Sequence, residues 1–296
     1  MKDPIRDYPL VSVGVPVFNE EKHIRNRLQS IHLQKYPNME VLISDNASTD
    51  QTWDIVTEFV NNDSRFKGVR QPENIGASEN FMHVLKEAKG ELFIWAGGHD
   101  LWGPDMIDSL VSMFQMNPSM VLCAPRTKWI DEEDNVLFEK DVHMDTRPAR
   151  SPAGRVRLLL EQMERCNAIY GLHRRETLLK TIPWPHGSDD FTGLCRIASL
   201  GDVITEDNAY WCRRNLNPET VSERMARYAR VFNRSGLYAK FPFLIDEMTT
   251  IMEMTRFRGG FSDRLRLVLY YLRNWTLTRS RIKSLISDTL EGLTKR

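Results

Sequence analysis

The chain has 296 residues, with 40 Lys+Arg balanced by 40 Asp+Glu, and this formal net charge of zero excludes a uniformly basic nucleic-acid-binding protein. Hydrophobic residues make up 41% and charged residues 27%, the balance of a folded globular protein rather than a disordered or fibrous one. At about 100 to 200 residues per domain, the length suits one large domain or a domain with an appendage.

No apolar run approaches the roughly 20 residues that a membrane-spanning helix needs. Met1-Lys2-Asp3-Pro4 lacks the apolar core of a signal peptide, so the expected location is the cytoplasm. Cys123, Cys166, Cys195 and Cys212 have neither CxxC nor Cys/His metal spacing and read as buried free thiols. The zero also hides segregation: residues 256–296 carry ten Lys/Arg and three Asp/Glu, a net of +7, which leaves −7 for the first 255 residues.

In chain order, β-branched runs alternate with amphipathic segments, the pattern of a parallel sheet flanked by helices. Strands are predicted at 11–17, 39–44, 66–70 and 91–96, and helices at 20–34, 50–61 and 77–88, giving four β-α repeats in the N-terminal half. A helix over 104–116 with Pro104 in its first turn precedes a fifth strand at 120–124. Residues 126–152 read as a variable excursion with a hairpin around 131–136. A helix at 155–165, a strand at 167–173 and a helix at 188–200 follow, and helices without strand signal run from about Pro218.

Four loops that follow strands carry small polar residues and carboxylates, and open α/β sheets bind ligands beyond the carboxyl ends of their strands. Pro16 and Asn19 turn the first loop and Glu20 opens a helix, where an acid also suits the positive end of the dipole. In the second loop Ser48, Thr49 and Asp50 are good N-caps, but Asp45 stands at the strand end, where a carboxylate accepts from a ring N–H or a ribose hydroxyl. Gly76 in the third loop permits a close backbone approach. Gly97-Gly98-His99-Asp100 follows the fourth strand, and Asp100 there suits a divalent cation held against a diphosphate.

These loops, in this order, resemble the GT-A glycosyltransferases of family 2. The carrying stretches are Val11 to Glu20, Val41 to Thr52, Asn74-Ile75-Gly76 and Phe93-Ile94-Trp95-Ala96 leading to Asp100, with likeness over roughly the first 215 residues. The resemblance implies an α/β GT-A fold, Rossmann-like, with a mostly parallel central sheet flanked by helices. Residues 1–217 would form the glycosyltransferase domain, about 1–125 as its nucleotide-sugar half and 126–217 as its acceptor half, and 218–296 a helical C-terminal region.

It also implies an inverting transfer from a nucleotide diphosphate sugar, a UDP-sugar first of all, to a hydroxyl of a glycan or lipid-linked acceptor. Pro16, Asn19 and Glu20 match the loop around the nucleotide, Asp45 the base-binding carboxylate, and Asn74 and Gly76 the loop near the ribose. Where the family carries a DxD-type motif, this chain has Gly98-His99-Asp100, so Gly98 takes an acidic position. Asp100, with His99, is left for a divalent cation, Mg or Mn. Asp189 and Asp190 match the acidic pair of the acceptor half, with Asp190, six residues before Arg196, as catalytic base. Trp184 and His186 are candidates for acceptor contact, and packing in a loop is the alternative use of such residues.

The glycine at an acidic position leaves open a catalytically silent nucleotide-sugar-binding or scaffolding protein. A nucleotidyltransferase is disfavoured, because the loop from Pro16 to Glu21 is acidic rather than Gly-rich and basic. The mixed apolar and basic residues from Arg264 to Trp275 fit either a helix lying on an anionic membrane or one packed on the catalytic domain or a second subunit. No nucleic-acid partner is expected, and self-association stays open.

Overall fold

The computed structural model describes residues 8–140, 143–163, 166–182, 189–214, 248, 251–252, 254 and 260–273. The chain forms two compact units. The first comprises Met1–His143, Asn167–Leu179 and Ile204–Pro218, and the second Met144–Cys166, Lys180–Val203 and Glu219–Arg296. Residues 126–217 thus contribute to both.

In the first unit, β1 (Val11–Val17) is buried along its whole length, which explains its continuous apolar run. It lies between β2 (Met39–Asp45) and β4 (Leu92–Trp95) and is parallel to both; β3 (Phe66–Arg70) is parallel to β2. Three helices make the connections, α1 (Ile24–His32), α2 (Thr52–Asn62) and α3 (Ala77–Glu87). Each buries one stripe: Ile24, Leu28 and Ile31; Ile55 and Val56; Val84 and Leu85.

After β4 come β5 (Leu101–Trp102) and α4 (Met106–Met116), then β6 (Met120–Ile130), which folds back into β7 (Val136–Lys140). The second unit supplies α5 (Pro152–Gln162) before the chain returns as a 3-10 turn (Cys166–Tyr170), β8 (Leu172–Arg174) and α6 (Arg175–Leu179). Next follow α7 (Asp189–Leu200) and β9 (Asp202–Arg214). The strand order is β3-β2-β1-β4-β8-β6-β9-β5, with β7 on β6. Beyond β4 the pairings β4–β8, β6–β8, β6–β7 and β5–β9 are antiparallel, so the sheet is mixed.

The α/β order expected of the first 125 residues is present, and the hairpin expected near residue 131 joins β6 to β7. Besides the short β5 and α6, which were not expected, three segments differ. The strand expected over 167–173 is a 3-10 turn followed by β8, because His173 Nε2 donates to Ile169 O (2.9 Å) and folds the segment on itself. Gly171 between them lies so close to β6 that a Cβ would stand 2.5 Å from Cys123 O. The fifth strand runs on to Ile130, and β9 was not expected at all, since the polar run Glu206-Asp207-Asn208 interrupts its apolar pattern.

In the second unit, Ser151 caps α5 by accepting from Gly154 N (3.1 Å), with Pro152 in the first turn. Arg155 donates to Ala198 O (2.9 Å) and Ser199 O (3.0 Å), satisfying carbonyls at the end of α7. The helix α8 (Phe261–Tyr271) buries Leu267 and Tyr271, and the rings of Tyr271 and Phe191 are 5.6 Å apart. Among the described residues no helix is long and apolar enough to cross a membrane.

Candidate active site

The strand order fixes where a ligand crevice can form. From β1 the chain moves outward to β2 and β3, then crosses back to place β4 on the other side of β1. The topological switch point therefore lies between the carboxyl ends of β1 and β4, the usual ligand position in open α/β sheets. Pro16 suits this spot. Alternate residues of a strand address the same neighbour, and Gly14 O accepts from Ala96 N (2.8 Å), so the Pro16 amide position also faces β4. The last β1–β4 pair is Gly14 with Trp95, so the missing N–H costs no ladder bond.

The loops after β1 and β2 are laced together. Asn19, at φ 53°, donates from its backbone N to Ser48 Oγ (2.9 Å) and accepts at Oδ1 from Thr49 N (2.9 Å). Glu20 N donates to Thr52 Oγ1 (2.8 Å), and Glu21 N to Asp50 Oδ2 (3.1 Å). Asp45 ends β2 fully buried. Its carboxylate accepts from the Ser48 hydroxyl and lies 3.3 Å from Arg70 Nε, while Arg70 also donates to Ser48 O (2.6 Å).

The loop after β3 is tied to the same framework. Asn74 Oδ1 accepts from Asn46 Nδ2 (2.9 Å) and Gly76 N (2.9 Å), while Gly76 precedes α3 at φ 85°. The buried Asn80 exchanges hydrogen bonds with Ser44, accepting from its hydroxyl (2.6 Å) and donating to its carbonyl (3.0 Å).

Across the switch point, His99 Nδ1 donates to Glu20 Oε1 (3.0 Å), which leaves His99 Nε2 3.9 Å from Asp100 Oδ1. Burial opposes charge on the ring, but the Glu20 hydrogen bond and the two carboxylates outweigh it, and the His99 pKa is raised. Gly98 makes room for this contact, since a Cβ there would lie 2.8 Å from Glu20 Cγ and 3.2 Å from Val17 Cγ1. Asp100 is buried and accepts from Arg214 N (2.9 Å); the Arg214 side chain fans out to His99 O (3.0 Å), Asp131 O and Asp134.

His99 and Asp100 fit a divalent cation. The Glu20 carboxylate orients the imidazole so that Nε2 faces the Asp100 side, the arrangement in which ligating histidines are commonly held. Among the described residues no three His, Cys, Asp or Glu side chains form a self-sufficient metal cage. A cation held by His99 and Asp100 would take its remaining ligands from phosphate oxygens and water.

Residues 12–151 match the family described as Glycosyl transferase family 2. That segment, just under half of the chain, is what likens the chain to this family. A curated relative, the glycosyltransferase GlyG of Streptococcus pneumoniae, is 27% identical over 129 residues, which cover 44% of this chain and 43% of the relative. The match thus spans less than half the length of that relative. The family likeness extends to the fold. The structure of Staphylococcus aureus TarS 1–349 in complex with UDP-GlcNAc superposes with a TM-score of 0.69 at 19% identity, covering 96% of this chain and 79% of that one. The mannosyltransferase PcManGT of Pyrobaculum calidifontis, in complex with GDP-Man and Mn2+, gives 0.55 at 18% identity, covering 99% and 88%. The chain therefore has the GT-A α/β fold of these glycosyltransferase structures.

The first unit brings Pro16, Asn19, Glu20, Asp45, Asn74, Gly76, Gly98, His99 and Asp100 onto the strand-end loops of one sheet. Asp190 stands exposed in the first turn of α7, and Asp189 opens that helix; the Asp189 side chain, Trp184 and His186 lie outside the described residues. Sequence reasoning passed over Arg70, Asn80 and Arg214. Each holds a loop carboxylate or carbonyl from a distant strand or helix, and no local motif announces such a partner.

Proposed function

We propose that this chain transfers a sugar from a nucleotide diphosphate sugar, a UDP-sugar first, to a hydroxyl of a glycan or lipid-linked acceptor, with inversion, and that residues 1–217 form its catalytic domain. The observation that carries the reading is the meeting of Glu20 and His99 across the β1/β4 switch point, inside the segment that matches the family. The TarS and PcManGT complexes support a nucleotide-sugar donor, and their different bases, uracil and guanine, make the base itself the first thing to measure.

In this reading Asp45 accepts from a ring N–H of the base, and Asn74 and Gly76 border the ribose. Asn19, Glu20 and Pro16 shape the wall beside the nucleotide. When bound, a divalent cation at Asp100 and His99 neutralises charge on the departing diphosphate. Asp190 takes the proton from the acceptor hydroxyl as that oxygen attacks the anomeric carbon from the face opposite the diphosphate. One displacement inverts the configuration. Asp189, beside the base, belongs to the same acidic pair, and Trp184 and His186 contact the acceptor.

The acceptor is reached at the cytoplasmic face of a membrane, where the +7 of residues 256–296 favours anionic lipid. A thermal-shift screen of UDP- and GDP-sugars, with and without Mg2+ or Mn2+, tests the donor and cation together, since a ligand of the native state raises its melting temperature. A stabilising donor whose transfer product has inverted anomeric configuration by NMR supports the reading. Donor binding with no turnover across glycan and lipid acceptors supports the catalytically silent alternative instead.

A further inference from the structure

Arg27 is the least comfortable side chain of the first unit. It lies in α1 among the buried residues Ile24, Leu28 and Ile31, and none of it reaches solvent. Among the described residues its Nε and both terminal nitrogens have no hydrogen-bond partner. The guanidinium stands 4.1 Å from the ring centroid of Trp102, two residues beyond Asp100. A cation over an indole ring recovers only part of what an ionised group loses on leaving water.

A methionine or leucine at this position would extend the apolar stripe of α1 without that loss, and replacing buried charge by apolar volume is often neutral or stabilising. Retaining an unpaired charge against stability is a pattern of functional positions. The surroundings indicate which function. Burial lowers the pKa of Arg27 to about 9 against the attraction of the Asp100 carboxylate, so the group stays cationic at neutral pH, and its field also reaches His99. Both residues belong to the loop expected to face the donor.

We infer that Arg27 is an electrostatic subsite for the donor's diphosphate, a fixed positive charge behind the Gly97–Asp100 loop that attracts the phosphates without touching them. This rests on the nucleotide-sugar reading and deepens it, because it assigns part of the diphosphate's neutralisation to the protein itself. Two unit charges about 10 Å apart at an effective dielectric near 20 interact strongly enough to change affinity roughly ten-fold.

The test is isothermal titration of wild type and Arg27→Met with UDP and uridine, and with GDP and guanosine, in EDTA so that no divalent cation contributes. The expected result is a melting temperature unchanged or raised, nucleoside diphosphate affinity about ten-fold weaker, and nucleoside affinity within two-fold of wild type. Arg27→Lys, which keeps the charge, should bind the diphosphate nearly as wild type does. Diphosphate affinity that is unchanged in Arg27→Met, or that falls no more than nucleoside affinity, overturns the inference. If the methionine variant does not fold, Arg27→Gln keeps a polar side chain without the charge and is read the same way. A wild type that binds UDP or GDP only when Mn2+ is added overturns the subsite but not the donor reading, whereas one that binds neither even with Mn2+ defeats the donor reading first, and the subsite with it; both results are visible before any variant is made.

Discussion

Glu20 Oε1 and His99 Nδ1 lie 3.0 Å apart and join the loops that leave β1 and β4, two strands adjacent in the sheet but separated in sequence by β2 and β3. The contact depends on the glycine between them. Because a Cβ at position 98 would fall 2.8 Å from Glu20 Cγ, the volume that an acidic side chain would need is already filled by Glu20.

Gly98→Ala should therefore displace Glu20, and Glu20→Gln should weaken its hold on His99 without changing shape. Both are expected to lower donor affinity in the presence of Mn2+ by about ten-fold, the loss typical of a residue that orients a metal ligand. Gly98→Asp should be at least as damaging as Gly98→Ala, although it restores an acid to the motif. Titration with Mn2+ and the donor checks all three; recovery by Gly98→Asp would contradict the steric argument.

Asp190→Asn is expected to reduce transfer by roughly a hundred- to ten-thousand-fold, the usual contribution of a general base, with donor binding nearly intact. Single-turnover rates and donor titration on the same preparation separate the two effects. Normal transfer by this variant would remove Asp190 from the role of base.

His173 makes acid stability measurable. It is fully buried, donates through Nε2 to Ile169 O, and has a pKa lowered from 6.5 to about 4, chiefly by burial. Between those values the unfolded chain binds the proton more readily than the folded one, so stability is present above pH 6.5 and falls as pH drops toward 4. The full loss from this group is on the order of 3 kcal/mol. His173→Gln should flatten the pH dependence of the melting temperature over that window.

The outer face of α8 carries Phe261, Leu265 and Leu269 at four-residue spacing, all exposed, while Leu267 and Tyr271 are buried. Such a stripe beside the exposed Arg266 and Arg273 suits an anionic lipid surface. Flotation with phosphatidylglycerol vesicles at low salt is expected to carry the protein, with phosphatidylcholine vesicles failing to do so. Leu265→Ser with Leu269→Ser should abolish flotation, and its persistence in that double variant would shift attention away from this helix.

Much of the N-terminal half was legible because its signals are local. Buried parallel strands read as β-branched runs, and Asn19, Asp45 and Gly76 stand at strand ends that a one-dimensional pattern locates well. Even the boundaries of β1 and β3 agree with the periodicity. The less legible parts depend on distant partners. Ala209 and Trp211 are buried in the sheet, but the polar run Glu206-Asp207-Asn208 just before them concealed β9. Arg70, Asn80 and Arg214 matter through contacts 22 to 115 residues away, and Arg27 looks like any basic helix residue until its burial is known.

Apart from the Glu20–His99 contact, the hydrogen bonds that tie the first three strand-end loops together close within residues 17–80, whereas the fourth loop also leans on Arg214, the last residue of β9. The framework of these loops is thus nearly self-contained in a contiguous stretch of chain. A lineage of such proteins can remodel the excursion after β6 and the C-terminal region, where acceptor choice would reside, without rebuilding that framework. The constraint on such remodelling is that some returning strand must still offer Asp100 a backbone N–H.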